Sequence, residues 1–103
     1  MIMTYKCISV EQAKALIQAG DSTILDIRDA GSFSQSNIEN SVNVSNDNIE
    51  QIINNSDKTL PLIVYCYHGN SSKGAAEYFH NLGFKESYSV DGGYEDWKFK
   101  VLF

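Results

Sequence analysis

The sequence lacks the features that mark membrane-spanning, secreted and nucleic-acid-binding proteins. No apolar run approaches the length of a membrane span, and residues 1–7 lack the basic and long apolar regions of a signal peptide. The eight lysine and arginine residues are scattered, and thirteen acidic residues bring the formal charge to -5, which argues against a nucleic-acid-binding surface. We therefore expect a cytoplasmic protein without a nucleic-acid or membrane partner.

Cysteine is also scarce, and the two cysteines lie far apart in unlike surroundings. There is no Cys-x-x-Cys pair, and Cys66 with His68 would supply at most two of the usual four ligands of a zinc site, so we expect no metal centre. A reducing cytosol disfavours a disulfide between Cys7 and Cys66. Cys7, near the end of a short first strand, is instead expected to be a small buried or half-buried residue.

The order of sequence patterns indicates an α/β fold. A chain of 103 residues, 43% of them hydrophobic, can bury one core and has no room for a second, so residues 1–103 are expected to form a single domain. Short strand patterns alternate with helical patterns, which predicts a central, mostly parallel sheet between two layers of helices. Ligands of such sheets bind beyond the carboxyl ends of the strands.

Local signals place the elements outside the centre of the chain. Ser9 and Gln12 form the capping box of a helix that ends at Gly20, and Trp97 is expected to dock a last helical turn on the core. An Asp-Gly-Gly turn over residues 91–93 has glycines that permit positive φ. The polar stretch 30–43 has three expected core anchors: Phe33, Ile38 and Val42. Four C-terminal residues are expected to cover an edge of the core or to form an oligomer contact: Phe99, Val101, Leu102 and Phe103.

Two charged residues interrupt a buried strand pattern in residues 23–29. Asp26 and Arg28 stand among apolar residues that suit a strand buried on both faces. One interpretation is an ion pair at the strand end, which is favoured because buried charges are normally paired for folding reasons. The other interpretation places Arg28 near the active loop as a supporting residue. The pattern alone leaves both open.

The prediction of function depends mainly on residues 60–83. An apolar strand ends on Cys66, a short loop follows, and a helix begins with Ser71 or Ser72 as its N-cap and stops at Gly83. The apolar face of this helix is expected to consist of Ala75, Ala76, Phe79 and Leu82. A thiol at a helix N-terminus is close to free N–H groups and to the positive end of the helix dipole, which can lower its pKa from about 8.5 to roughly 3.5–7.5. Cys66 is therefore a candidate nucleophile.

Several chemistries compete for this thiol. A thiolate surrounded by N–H groups can attack sulfur, phosphorus or arsenic, whereas a lone cysteine is most often a simple core residue; the small residues 69–72 argue against that simpler interpretation. A cysteine phosphatase or arsenate reductase of this kind needs an arginine six positions after the thiol, and that position is Ser72. Lys73 is one step too far and has the wrong donor geometry. His68 is either a base, an oxyanion donor or a solvated loop residue.

Three motifs resemble those of single-domain rhodaneses, and the resemblance extends from about Tyr5 to Trp97. The tract 66–76, CYHGNSSKGAA, is similar to the active-site loop of that family; LDIRD at 25–29, followed by Phe33, resembles its early Asp-x-Arg motif and following aromatic residue; and VDGGYEDW at 90–97 resembles its closing Gly-Gly-x-x-x-Trp motif. The chain is therefore identified as a member of the rhodanese family.

The resemblance implies a double-displacement sulfur transfer without a metal or organic cofactor. Cys66 would take the outer sulfur of thiosulfate as a persulfide, and cyanide or a cellular thiol such as reduced thioredoxin would then accept it. The resemblance further implies that the substrate is held by the loop after Cys66, which consists of Tyr67, His68, Gly69, Asn70, Ser71, Ser72 and Lys73. The alternative is a persulfide carrier or binding module that is loaded by a partner protein and barely turns over thiosulfate.

Two departures from the family pattern affect this prediction. Many rhodaneses carry Gly-His-Ile where this chain has Ser36-Asn37-Ile38, a change that we expect to leave the chemistry intact. Many also place an arginine within the active loop, where this chain has Ser71. Without that charge, thiosulfate would be held only by N–H groups, the helix end and Lys73. The sequence therefore predicts weak thiosulfate binding.

Overall fold

Strands and helices alternate along the part of the chain that the structure describes. This computed structural model describes the backbone of residues 5–102 and the side chains of residues 5–100. The strands are β1 (Lys6–Ile8), β2 (Thr23–Asp26), β3 (Val42–Asn43), β4 (Leu62–Tyr65) and β5 (Ser87–Val90). The helices are α1 (Val10–Ala19), α2 (Ala30–Gln35), α3 (Ile49–Asn55), α4 (Ser71–Asn81) and α5 (Gly93–Leu102).

The strands form one sheet with the order β1-β5-β4-β2-β3. Every neighbouring pair is parallel, which confirms the predicted α/β fold. β4 is central, and Asp26 of β2 pairs with Tyr65 of β4, so these two strands end side by side. The residue after Tyr65 therefore emerges at the middle of the carboxyl edge of the sheet.

The central strand supplies both faces of the core. Ile63 and Tyr65 point to the face covered by α1 and α5, where Ile8, Val10, Ala13, Ile24, Ile38, Val90 and Tyr94 complete the buried cluster. Leu62 and Val64 point to the opposite face, where Leu25, Ala76, Phe79 and Phe84 are buried and residues of α3 pack against them. Successive side chains of a strand leave opposite faces of the sheet, so β4 contributes buried residues to both clusters, and helices pack on both faces.

The capping box of α1 is confirmed. The Gln12 N–H donates to Ser9 Oγ at 3.1 Å, and the Ser9 N–H donates to Gln12 Oε1 at 2.9 Å. Two of the N–H groups that lack partners at a helix start are satisfied in this way. The following side chains, Val10 and Ala13, enter the core.

Two predictions about the ends of α4 are wrong. The N-cap is Asn70, which makes no capping hydrogen bond with its side chain, whereas Ser71 and Ser72 already lie within the helix. Leu82 is the C-cap residue and is 38% exposed, so it lies beyond the buried face that α4 forms with Ala76 and Phe79. The stop at Gly83 is confirmed, since this glycine has φ +108°.

Two residues that were expected to be at least partly buried, Cys7 and Val42, are exposed on the two edge strands of the sheet. Cys7 is exposed, because β1 is a short strand at the edge of the sheet, where only Ile8 of its three residues is buried. Val42 is 44% exposed, because β3 is the opposite edge strand. Ile38 is buried as expected. Phe33 is only half-buried and lies outside both core clusters.

The last helix is longer than the single turn that the sequence suggested. Trp97 packs against the core cluster beneath α5, as predicted. Phe99 is 62% exposed, so the prediction that it covers the core is wrong. The corresponding predictions for the side chains of Val101, Leu102 and Phe103 lie outside the described residues. Across residues 5–102, the helices are all too short or too polar for one of them to span a lipid bilayer.

Candidate active site

Cys66 follows directly after the central strand and is 5% exposed. The loop after it turns back over the thiol, so that the Gly69 N–H donates to Cys66 Sγ at 3.2 Å and the Ser72 N–H donates at 3.4 Å. Gly69 has φ +99°, and a Cβ at this position would lie 2.9 Å from the Gly92 nitrogen. A glycine is therefore required both for the turn and for the close approach of the neighbouring backbone.

Two serine hydroxyls lie behind the thiol. In the neutral form, Cys66 Sγ–H donates to Ser72 Oγ at a distance of 3.4 Å. Ser72 Oγ lies 2.7 Å from Ser89 Oγ, and both serines are fully buried. The sequence assigned Ser72 to the loop that holds the substrate, but it gave no reason to select Ser89. The available signal was a pair of serines, Ser87 and Ser89, that alternate with bulkier residues in a buried strand.

The surroundings of Cys66 favour its thiolate. Burial raises the pKa of the Cys66 thiol, but hydrogen bonds from the Ser72 hydroxyl and from the N–H groups of Ser72, Gly69 and His68 lower it by more. The resulting pKa is below the ordinary value of a cysteine. Hydrogen bonds to the charged form stabilise that form, as expected when neutral donors surround an anion.

The first turn of α5 holds the carbonyl groups of the same loop. The Tyr94 N–H donates to Cys66 O at 2.8 Å, and the Glu95 N–H donates to Tyr67 O at 3.1 Å. Gly93 has φ +60°, and a Cβ there would approach Cys66 O and Tyr67 O to 2.5 Å. The predicted glycine turn is thus confirmed, and its function in the fold is to let a helix N-terminus contact the loop backbone.

Tyr67 ties the loop to α2. Its hydroxyl donates to Asp29 and lies 2.6 Å from Ser32 Oγ. Asp29 is the N-cap of α2 and also accepts from the Ser32 N–H at 3.0 Å. Hydrogen bonds from Ser32 lower the pKa of Asp29, which keeps an acceptor in place for the tyrosine.

Arg28 combines the two interpretations that the sequence left open. Its Nη2 lies 2.7 Å from Asp26 Oδ2 and donates to Ser36 O at 2.7 Å, so it forms the expected ion pair. Its Cζ lies 4.2 Å from the centre of the Tyr94 ring and 5.8 Å from that of Tyr67. Arg28 is therefore buried beside the residues that hold the active loop, and it is not part of the lining of the thiol pocket.

The mouth of the site is a shallow pocket of about 160 Å³. It is lined by Cys66, Tyr67, His68, Asn70 and Ser71. Lys73 is exposed on the first turn of α4 and does not contribute to this lining. None of these five residues is a lysine or an arginine. Within residues 5–100, no group of three or more potential metal-binding side chains occurs. Neutral hydrogen-bond donors thus dominate the contacts available to a substrate.

Comparison with known proteins connects this site to one family. The sequence profile of the Rhodanese-like domain matches residues 9–100. The chain is 46% identical over 94 residues to thiosulfate sulfurtransferase GlpE of Pseudomonas savastanoi pv. phaseolicola, covering 91% of this chain and 88% of the relative. It is 41% identical over 96 residues to the protein of the same name from Coxiella burnetii, covering 93% and 90%. The structure of a rhodanese-related protein from Thermoplasma volcanium superimposes with a TM-score of 0.77 at 27% identity, covering 93% of each chain.

We predict that Gly93→Ala disrupts the active loop. An alanine here would need a left-handed backbone conformation, costing about 1–2 kcal/mol, and its Cβ would overlap the loop carbonyls. We expect the free energy of unfolding to fall by at least about 2 kcal/mol, and alkylation of Cys66 by iodoacetamide to slow. Gly74→Ala is the matched control, because a Cβ there meets nothing within 4 Å and lies in a helix. It should stabilise the protein by up to about 1 kcal/mol. Equal effects of the two variants in urea unfolding would contradict this account.

Proposed function

The chain belongs to the rhodanese-like domain family, and we propose that it is a thiosulfate sulfurtransferase, like its relatives of that name, and that it transfers sulfur through a persulfide on Cys66. The observation that carries this proposal is the position of the thiol at the carboxyl end of β4, where the N–H groups of Gly69 and Ser72 and the hydroxyl of Ser72 approach its sulfur. These donors favour the thiolate, which is the nucleophilic form of cysteine.

In the first half-reaction, the Cys66 thiolate attacks the outer sulfur of thiosulfate. A bond forms between Cys66 Sγ and that sulfur, the sulfur–sulfur bond of thiosulfate breaks, and sulfite leaves with the electron pair. The outer sulfur then carries the negative charge of the persulfide. Loop N–H groups that faced the thiolate are available to stabilise this charge, as in an oxyanion hole.

In the second half-reaction, a nucleophilic acceptor removes the outer sulfur. Cyanide attacks that sulfur, the bond to Cys66 Sγ breaks, and thiocyanate leaves while the thiolate is restored. A thiol acceptor, such as reduced thioredoxin, would leave as a persulfide in the same way. No metal or organic cofactor is needed for either step, because the thiolate serves in turn as nucleophile and leaving group.

We propose separate roles for the other site residues. Tyr67, His68, Asn70 and Ser71 form the wall of the pocket, and Gly69 and Ser72 contribute donors behind it. Lys73 lies outside the wall and would act on an anionic donor only through its charge. Arg28 acts as a positioning residue, because its guanidinium packs on Tyr94, whose N–H binds the Cys66 carbonyl.

Phosphoryl transfer fits this site poorly. The position where a cysteine phosphatase would carry its phosphate-binding arginine is Ser72, which is fully buried and already hydrogen-bonded to Cys66 and Ser89. A serine there cannot form the bidentate contact that an arginine makes with phosphate.

The persulfide-carrier alternative shares Cys66 and differs in the sulfur donor. It is favoured by one observation, the absence of a lysine or arginine among the five residues that line the pocket. Rates of Cys66 persulfide formation from thiosulfate and from a persulfurated cysteine desulfurase would separate the two. An enzyme should load rapidly from thiosulfate, whereas a carrier should load rapidly only from the protein donor.

We predict that Cys66→Ala abolishes sulfur transfer from thiosulfate to cyanide with little loss of stability. Thiocyanate formation measures the reaction, and thermal unfolding measures the fold. Cys7→Ala is the matched control, because Cys7 is exposed on the edge strand β1 and should be dispensable for transfer. Thiocyanate production by folded Cys66→Ala protein would remove the nucleophile assignment.

We also predict that thiosulfate binds weakly and that Lys73→Ala weakens it further. An exposed lysine contributes less than about 1 kcal/mol to binding an anion in water, so KM should rise up to about fivefold while kcat stays unchanged. Lys6→Ala is the control, since Lys6 is the first residue of β1 and therefore lies at the amino ends of the parallel strands, away from Cys66 at their carboxyl ends. A low-micromolar KM for the parent protein would contradict weak binding, and an unchanged kcat/KM in Lys73→Ala would exclude the lysine from donor binding.

A further inference from the structure

The serine behind the thiol is connected to a second serine from a different element. Ser72 Oγ lies 3.4 Å from Cys66 Sγ and 2.7 Å from Ser89 Oγ. Ser72 belongs to the first turn of α4, whereas Ser89 belongs to β5. Both side chains have no solvent-exposed surface, so water does not compete for these contacts. The two hydroxyls and the sulfur therefore form a buried chain of three polar groups.

The direction of the hydrogen bonds in this chain depends on the charge of the sulfur. A serine hydroxyl has one proton to donate and can accept from other donors. When Cys66 is a neutral thiol, it donates to Ser72, whose proton then points to Ser89. When Cys66 is a thiolate, Ser72 must turn its proton to the sulfur, and its oxygen is then free to accept from the Ser89 hydroxyl.

We propose that Ser89 is a positioning residue for sulfur transfer, whose hydroxyl donates to Ser72 and thereby holds the Ser72 proton on the Cys66 thiolate. This inference deepens the proposed function and depends on Cys66 being its nucleophile. Hydrogen bonds in a chain polarise one another, so the second serine strengthens the bond that the first one makes.

The same arrangement fits both halves of the reaction. The charge lies on Cys66 Sγ before thiosulfate is attacked and again when the acceptor removes the outer sulfur. While the persulfide is present, the charge is on the outer sulfur and Sγ is neutral. The buried pair of serines can therefore stabilise Sγ as nucleophile and as leaving group, whereas the loop N–H groups at the pocket serve the outer sulfur.

The test must separate this effect from those of the titratable groups around the site. The titratable groups are His68 in the loop, Lys73 on α4, Asp29 at the start of α2, Asp26 at the end of β2, Arg28 two residues later, and Glu95 on the first turn of α5. None of them changes in a variant of Ser89. A shift in the titration of Cys66 would therefore report the loss of the hydroxyl.

The experiment is the pH dependence of Cys66 alkylation by iodoacetamide, measured without thiosulfate in a Cys7→Ala background. We expect Ser89→Ala to raise the midpoint by about one pH unit, which means about tenfold less thiolate well below the midpoint. Ser87→Ala is the matched control. Ser87 is a nearly buried serine of the same strand whose hydroxyl donates to Ala76 O at 2.7 Å, so its loss should leave the midpoint unchanged.

A double variant tests whether Ser89 acts through Ser72. Ser72→Ala alone should raise the midpoint at least as much as Ser89→Ala, and adding Ser89→Ala to it should cause no further shift. An unshifted midpoint in folded Ser89→Ala, an equal shift in Ser87→Ala, or a full shift of Ser89→Ala in the Ser72→Ala background would each overturn the inference. Because alkylation reports the thiol without sulfur transfer, these outcomes are distinct from a failure of the proposed reaction.

Discussion

Turning the N–H groups of a loop towards one sulfur atom requires the carbonyl groups of the same stretch to find partners elsewhere. In this protein those partners are the N–H groups of Tyr94 and Glu95 at the start of α5, which bind the carbonyls of Cys66 and Tyr67. The helix can come this close only because Gly93 has no Cβ and adopts a positive φ. A helix start that would otherwise have unpaired donors thus satisfies a loop that would otherwise have unpaired acceptors.

This arrangement stabilises an anion without placing a positive side chain in its pocket. The donors near Cys66 Sγ are N–H groups and a hydroxyl, and the nearby Arg28 is paired with Asp26 and packed on aromatic rings. Fixed neutral dipoles suit a charge that moves by one bond length between Sγ and an outer sulfur, because they need little reorganisation when it moves. They offer less to a dianion arriving from solvent, which is consistent with weak donor binding.

The features that the sequence predicted well depend on neighbouring residues. The Ser9–Gln12 capping box, the glycine turn and the thiol at a strand end each follow from a few adjacent side chains. Two of the predictions that failed, the burial of Cys7 and of Val42, depend on which strands lie at the edges of the sheet, and the local pattern does not show this. The contact of Ser72 with Ser89 was likewise hidden, because it joins a helix to a strand seventeen residues later along the chain.

The central claim is that Cys66 carries the transferred sulfur, and intact protein mass under non-reducing conditions tests it most directly. The mass is measured before thiosulfate is added, after it is added and again after cyanide treatment, in parent protein and in Cys66→Ala. The account predicts a gain of one sulfur atom that cyanide removes and that the variant never shows. No gain in parent protein whose Cys66 remains alkylatable, or an equal gain in the variant, would contradict it.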